Sequence, residues 1–274
     1  MDVPLLGAVL LMCTLGMVVL YSASDQSLDV VLKQSVRILI GIAAMIGIAQ
    51  VSPRRLARWA PAMYLVGLGL LVLVLFMGTG RGAQRWLDFG FVRFQPSELM
   101  KLAVPLTVAA FMADKVLPPR ARTTAVALLL VLLPAAFIIE QPDLGTAILV
   151  ATSGLFVLFF GGISWRFIRN CTVLGLAAAP LAWYAMHDYQ RRRVLTLFDP
   201  EQDPLGAGYH IIQSTIAVGS GGLHGKGWLN GTQSHLEFLP ERATDFIFAV
   251  YCEEFGLVGV LVLLLAYAMI ILRG

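Results

Sequence analysis

The sequence predicts an all-α polytopic membrane protein, and composition, charge distribution and run length all support that class. Of the 274 residues, 58% are apolar and 14% are charged, whereas soluble domains have about 45–50% apolar residues, glycine included, and about 25% charged ones. The charges are clustered between long uncharged runs. Six of these runs reach the lower limit of about 17 residues for a helix that crosses a bilayer. This pattern excludes a soluble or nucleic-acid-binding chain.

Eight membrane-spanning helices are predicted in chain order. The six uncharged runs are 3–24, 59–80, 123–139, 144–165, 170–186 and 255–272. Two further segments complete the set. Segment 37–51 is long enough if its helix begins near Lys33, and segment 96–113 is long enough if it accepts Glu98 and Lys101.

Basic residues in short loops orient these helices, because cytoplasmic loops carry an excess of Lys and Arg. The loops after helices two, four and six hold eight of them: Arg54, Arg55, Arg58, Lys115, Arg120, Arg122, Arg166 and Arg169. Both termini are therefore expected in the cytoplasm, and the long polar segment outside. The net charge of +3 is explained by this loop bias and indicates no acidic partner.

Three regions follow from this topology. Residues 1–186 hold helices one to seven, residues 187–243 form a large extracytoplasmic loop that folds as a cap, and residues 244–274 form helix eight. A helix over 244–273 is about 45 Å long, which exceeds a hydrocarbon core of about 30 Å. We therefore expect its start to protrude from the membrane, with Asp245 inside the cap.

Two polar groups lie at the starts of predicted helices. Glu98 and Lys101 stand three residues apart on one helix face, which fits either a structural ion pair or the entrance of a polar pocket, because ionisable groups in spans usually face a cavity. Asp143 precedes helix six and fits either a simple N-cap or a pocket residue. Both alternatives stay open at this point.

Two further features lie in or after the cap. The glycine-rich run 219–227 permits tight turns and could cradle a phosphate, but it matches no established phosphate-loop motif. Asp245 follows Thr244 at the head of helix eight. It fits an acidic first turn capped by Thr244, or a partly desolvated general base.

Motifs along nearly the whole chain resemble the SEDS family of bacterial envelope proteins, and most closely its rod-shape branch. They are Tyr21 to Ser24, Trp86, 95–101, 141–146, 191–200, 213–228 and 229–245. The resemblance implies a peptidoglycan glycosyltransferase that polymerises lipid II, the disaccharide-pentapeptide on undecaprenyl pyrophosphate, at the outer face of the bacterial cytoplasmic membrane during cell elongation. It implies a class B penicillin-binding protein of the penicillin-binding protein 2 type as partner within the elongation machinery.

By the same resemblance, Asp245 is the catalytic carboxylate that deprotonates the acceptor sugar. Seven further residues are predicted to lie in the pocket or bind substrate: Glu98, Lys101, Asp143, Arg193, Lys226, Glu237 and Arg242. The cations among them would balance charge on the pyrophosphate leaving group. A divalent ion, Mg²⁺ or Mn²⁺, could bridge phosphate and carboxylate.

The chain departs from the family in two ways. Ala243 stands where the family commonly has a histidine, and eight helices are predicted where the family usually has ten, so we expect a chain shortened at its C-terminal end. Two other functions are compatible with the sequence. One is a lipid II flippase or transporter, suggested by the intramembrane Glu98 and Lys101, and the other is a non-enzymatic scaffold that activates a transpeptidase.

Overall fold

The computed structural model describes residues 2–79, 85–88, 90, 93–116, 118–186, 188–203, 206–232 and 241–274. It divides into two compact units. The first unit comprises Met1–Ala49 and Leu181–Gly274, and the second comprises Gln50–Pro180.

Each of the eight predicted spanning segments contains a helix, which confirms the all-α membrane class. In chain order the helices are α1 Val3–Ala23, α2 Leu28–Ala49, α3 Pro53–Met77, α4 Pro96–Ala113, α5 Ala121–Glu140, α6 Leu144–Phe160, α7 Trp165–Ala185, α8 Asp188–Phe198, α9 Ala207–Ser220 and α10 Ile247–Arg273. Among the described residues, α1, α2, α3, α5 and α10 are long and apolar enough to cross a bilayer by composition alone, and α6 is a shorter apolar helix.

In the second unit, α4 packs against α3, α5 and α6 around fully buried side chains such as Met100, Val131 and Leu158. Pro134 lies inside α5 and has no N–H to offer the carbonyl of Leu130, one turn earlier. The Tyr64 hydroxyl of α3 donates to that carbonyl at 3.0 Å. A neighbouring helix thus satisfies a backbone group that would be costly to leave unbonded in lipid.

A short hairpin precedes α4 in the same unit. Strand β1 (Leu87–Asp88) pairs antiparallel with β2 (Arg93–Phe94). The Asp88 carboxylate accepts hydrogen bonds from the Gly90 N–H at 2.8 Å and from Arg93 Nε at 3.1 Å. These two donors, the backbone N–H foremost, lower the pKa of Asp88.

In the first unit, α10 packs against α1 and α9, and Val19, Ala217 and Val250 are buried between them. The predicted cap segment is folded where it is described: it forms α8, a 3₁₀ turn over Pro200–Gln202, and α9. Its placement outside the cell remains a prediction.

The prediction of one continuous helix from Thr244 is wrong. Helix α10 begins at Ile247, and Gly256 within it has non-helical dihedrals of φ 61° and ψ −161°. A break of this kind releases carbonyls before it and N–H groups after it. The uncharged run 255–272, which contains Gly256, gave no sign of the break.

The glycine-rich run forms hydrogen bonds with backbone groups on both sides of this break. The N–H groups of Lys226 and Gly227 donate to the carbonyls of Glu253 and Glu254 at 2.9 and 3.0 Å. In the other direction, two N–H groups after the break donate to the run, Leu257 to Gly222 at 3.0 Å and Val258 to Leu223 at 3.1 Å. The run therefore completes a broken helix, and this use of its backbone argues against a phosphate cradle.

Candidate functional site

Asp245 lies in the turn that immediately precedes α10, with an exposed side chain. The turn is closed by the N–H groups of Thr244 and Phe246, which both donate to the Glu241 carbonyl, at 3.1 and 3.2 Å. The Thr244 hydroxyl donates to the Glu241 carboxylate at 3.0 Å, and the N-cap residue of α10 is Phe246. The alternative in which Thr244 caps the helix is therefore wrong, and Asp245 precedes the helix instead of lying in its first turn.

Side chains on both sides of Asp245 anchor this turn. The Arg242 guanidinium forms an ion pair with Asp25, in the turn that follows α1. The ring of Phe246 stacks on His210 of α9, with 5.9 Å between ring centroids and planes 12° apart. The backbone that carries Asp245 is thus fixed to α1 and to α9. Within the described part of the chain, the Asp245 carboxylate itself takes part in no hydrogen bond or ion pair.

Two carboxylates further along α10 are buried. Glu253 is 0% exposed and Glu254 1% exposed. Glu253 accepts from the Lys226 ammonium at 2.7 Å and from the Thr232 hydroxyl at 3.1 Å. Lys226, predicted as a pocket cation, therefore lies in a partly buried ion pair that connects the glycine-rich run to α10.

Glu254 makes a second set of contacts. Its carboxylate accepts from the Leu229 N–H at 3.2 Å and from the Ser22 hydroxyl at the end of α1. From the sequence, both glutamates are expected near the headgroup level of the membrane. Their burial was not predicted. The available signal was the position of two adjacent acids directly before an uncharged apolar run, where ionisable groups are costly unless paired.

Asp143 is the centre of a polar cluster in the second unit. Its carboxylate accepts from the Thr146 N–H at 3.3 Å, as a helix N-cap does, and from Gln95 Nε2 at 3.3 Å. Arg85 lies 3.8 Å from the same carboxylate and donates to the Gln141 carbonyl at 3.3 Å. The N-cap interpretation is confirmed, and the cluster adds Arg85 and Gln95, which the sequence did not single out as site residues.

Glu98 and Lys101 form the ion pair that their spacing predicts. Lys101 Nζ lies 2.7 Å from the Glu98 carboxylate, and the two side chains are 34% and 54% exposed. Ionisable groups inside a span usually pair or face a cavity, and here the paired groups remain partly accessible to a ligand.

A pair of substitutions separates the capping role of Asp143 from its charge. Asp143→Ala removes the cap, and we expect a loss of about 1 kcal/mol in the free energy of unfolding. Asn is as good an N-cap as Asp, so Asp143→Asn should retain most of that stability while removing the charge beside Arg85. Chemical unfolding in detergent measures both variants. Equal losses for Ala and Asn would contradict the capping role.

Comparison with known proteins supplies the family. The sequence model of the FtsW, RodA and SpoVE family of cell cycle proteins matches residues 3–274 of this chain. The chain belongs to this family. It is 54% identical over 276 residues to the peptidoglycan glycosyltransferase MrdB of Escherichia coli K12, covering 100% of this chain and 75% of the relative. It is 38% identical over 244 residues to MrdB of Helicobacter pylori J99, covering 86% and 62%.

Two solved structures have a fold similar to that of this chain. RodA of Thermus thermophilus superposes with a TM-score of 0.69 at 30% identity, covering 99% of this chain and 73% of that one. A chain of a peptidoglycan synthase complex that coordinates polymerization and crosslinking superposes with a TM-score of 0.82 at 35% identity, covering 99% and 76%.

The remaining SEDS-based predictions are placed as follows. Arg193 lies in α8, but its side chain and all of Glu237 lie outside the described residues. Arg191, two residues before Arg193, donates to the carbonyls of Trp183 and Tyr184 at 2.9 and 2.6 Å. Its side chain therefore satisfies carbonyls at the end of α7. Asp245, Arg242 and Lys226 belong to the first unit, whereas Glu98, Lys101 and Asp143 belong to the second.

Proposed function

We propose that this chain is a peptidoglycan glycosyltransferase that polymerises lipid II, with Asp245 as its general base. The observation that carries the proposal is the exposed Asp245 carboxylate on a turn fixed to α1 and α9 by Arg242 and Phe246. A base must be held in place and still be accessible to its substrate. Membership of the FtsW, RodA and SpoVE family and 54% identity to a peptidoglycan glycosyltransferase support the activity.

The reaction requires one proton transfer and one displacement. The Asp245 carboxylate takes the proton of the acceptor hydroxyl, and that oxygen forms a bond to the anomeric carbon of the donor. The bond from this carbon to the pyrophosphate oxygen breaks, and its electron pair leaves with the lipid pyrophosphate. Asp245 then holds the proton, which it releases to solvent.

The developing charge on the leaving group requires a cation. Arg192 of α8 is exposed, whereas Arg242 and Lys226 already form ion pairs with Asp25 and Glu253. We therefore assign leaving-group stabilisation to Arg192 in preference to Lys226. A divalent cation, Mg²⁺ or Mn²⁺, also fits, because such ions bind through one or two carboxylates together with substrate phosphates. In the described part of the chain no three ligands suited to a metal lie together, so the ion would be held mainly by the substrate phosphates, where it would supply charge stabilisation.

The proposal includes a location and a partner. Asp245 and the described cap segments would lie on the outer face of the bacterial cytoplasmic membrane, with the N-terminus in the cytoplasm, as the loop charges predict. A class B penicillin-binding protein of the penicillin-binding protein 2 type would crosslink the product. The structural likeness to a complex that coordinates polymerization and crosslinking supports that pairing.

The flippase alternative has one structural observation in its favour, the break in α10 at Gly256, because transporters use broken helices to bind ions and substrates. Here the chain's own glycine-rich run takes up backbone groups on both sides of the break. This use of the released groups favours the glycosyltransferase.

An assay with lipid II vesicles tests the proposed function. The purified chain, with its penicillin-binding partner, is expected to convert lipid II into glycan strands that resolve as a ladder on a gel. A flippase would instead move lipid II across the bilayer and leave it unpolymerised. Translocation without any glycan product would contradict the proposal, and so would activity that depends only on the partner.

A further inference from the structure

A groove in the first unit joins the segment around Asp245 to the apolar sides of two helices. It has a volume of about 570 Å³ and is lined by α1, by α2 and by residues 243, 244 and 247. Thr244 and Ile247 lie on its wall, so the groove reaches the turn that carries Asp245.

The walls of the groove are amphipathic. Met17, Leu20 and Ile38 give it an apolar lining. Helix α2 contributes two cations from one face, Lys33 and Arg37, and one carboxylate, Asp29. Helix α2 begins at Leu28, and at 1.5 Å per residue Arg37 lies about 13 Å along it. This places a guanidinium well inside a segment of membrane-spanning length.

Arg37 is not neutralised by the chain where it is described. Lys33 has an acid partner, Asp29, at 2.5 Å, whereas the hydrogen bond of Arg37 within the described residues goes to the uncharged Gln34 at 3.3 Å. Ionisable residues inside spans are costly and mark functional sites by default. A cation at this depth, beside an apolar channel, is complementary to an anion that is attached to a hydrocarbon chain.

We infer that this groove binds the polyprenyl pyrophosphate part of the lipid substrate, with Arg37 contacting the pyrophosphate and the apolar wall contacting the first isoprene units. Because both side chains of the Lys33–Asp29 pair are exposed, Lys33 exchanges Asp29 for a phosphate oxygen when the lipid binds. Arginine binds phosphate oxygens in bidentate, charge-assisted hydrogen bonds. The inference rests on the proposed function for the identity of the lipid. Neither Lys33 nor Arg37 is among the site residues that the similarity to the SEDS family implies.

Binding of undecaprenyl pyrophosphate to the purified full chain in nanodiscs, followed by native mass spectrometry, tests the inference. The double substitution Lys33→Gln and Arg37→Gln should raise the dissociation constant at least about tenfold. The matched control, Arg54→Gln and Arg55→Gln at the start of α3, removes two exposed cations from the other unit and should leave it unchanged. Met17→Trp, which fills the groove and keeps both cations, should weaken binding as well.

Four outcomes overturn the inference. These are parental affinity in the double variant, parental affinity in Met17→Trp, equal affinity for inorganic pyrophosphate, and equal affinity for phosphatidylglycerol. The third would show a site for a free anion and the fourth a site for bulk lipid. Lys33 and Arg37 are exposed, so their loss should not unfold the chain, and Met17→Trp gives an independent reading.

Asp245→Asn separates this inference from the proposed function. We expect this variant to bind undecaprenyl pyrophosphate like the parent and to make no glycan. If it polymerises lipid II, the catalytic assignment fails and the groove stands. If the Lys33 and Arg37 variant binds normally while Asp245→Asn is inactive, the groove fails and the catalytic assignment stands.

Discussion

Asp245→Asn is expected to lower the turnover of lipid II polymerisation by about 10²–10⁴-fold, the range that a general base contributes. The amide keeps the shape of the side chain and cannot accept the acceptor's proton. Because the side chain is exposed and the turn is held by its neighbours, substrate binding should change little, so the loss should appear in kcat and not in KM. Initial rates over a range of lipid II concentrations measure both.

Two controls show whether the effect is chemical. Asp245→Glu retains a carboxylate and should recover part of the activity, whereas Asn recovers none. Glu201→Gln removes another exposed carboxylate of the same unit and should leave turnover unchanged. Thermal unfolding of Asp245→Asn should match the parent within about 0.5 kcal/mol, as for surface substitutions. Parental turnover in Asp245→Asn would refute the assignment of Asp245 as the base.

The positions of the helices could be predicted because hydropathy and length are local properties. Even α4, with Glu98 and Lys101 in its first turns, lies over the predicted range Pro96–Ala113. The break in α10 could not be predicted this way. It depends on Gly256 adopting φ 61° and on a run some 30 residues earlier bonding to both sides of it, and a hydropathy window contains neither fact.

The same distinction applies to the polar residues. The N-cap by Asp143 was predictable because it joins residues three positions apart. The contact of Glu254 with Ser22 joins residues 232 positions apart, and that of Arg85 with Gln141 joins residues 56 apart. Such pairs follow from helix packing and leave no local pattern. A sequence therefore identifies a charged residue in an apolar run, and the fold decides whether its partner is a ligand or another side chain.

Alanine substitutions along the glycine-rich run are expected to affect stability in a graded way, with Gly225→Ala the most damaging. Gly225 has φ +78°, and a Cβ there would meet the Glu254 carbonyl. The left-handed conformation costs an alanine about 1–2 kcal/mol. The clash also displaces backbone that holds the hydrogen bonds of Lys226 and Gly227 to the break, each costing about 1–3 kcal/mol when left unmade in a buried place.

The total loss expected for Gly225→Ala, about 3–8 kcal/mol, is a large part of the 5–15 kcal/mol that is typical of the free energy of unfolding of a protein. Gly222→Ala separates backbone strain from steric clash, because Gly222 has φ +55° and open space where a Cβ would lie. We expect this variant to lose about 1–2 kcal/mol in the free energy of unfolding. Gly219 is helical with open space around it, and alanine there should stabilise by about 0.5–1 kcal/mol. Unfolding of the three variants in detergent measures the order. If Gly225→Ala is as stable as Gly219→Ala, the run does not hold the broken helix together, and the turn that carries Asp245 must owe its position to Arg242 and Phe246 alone.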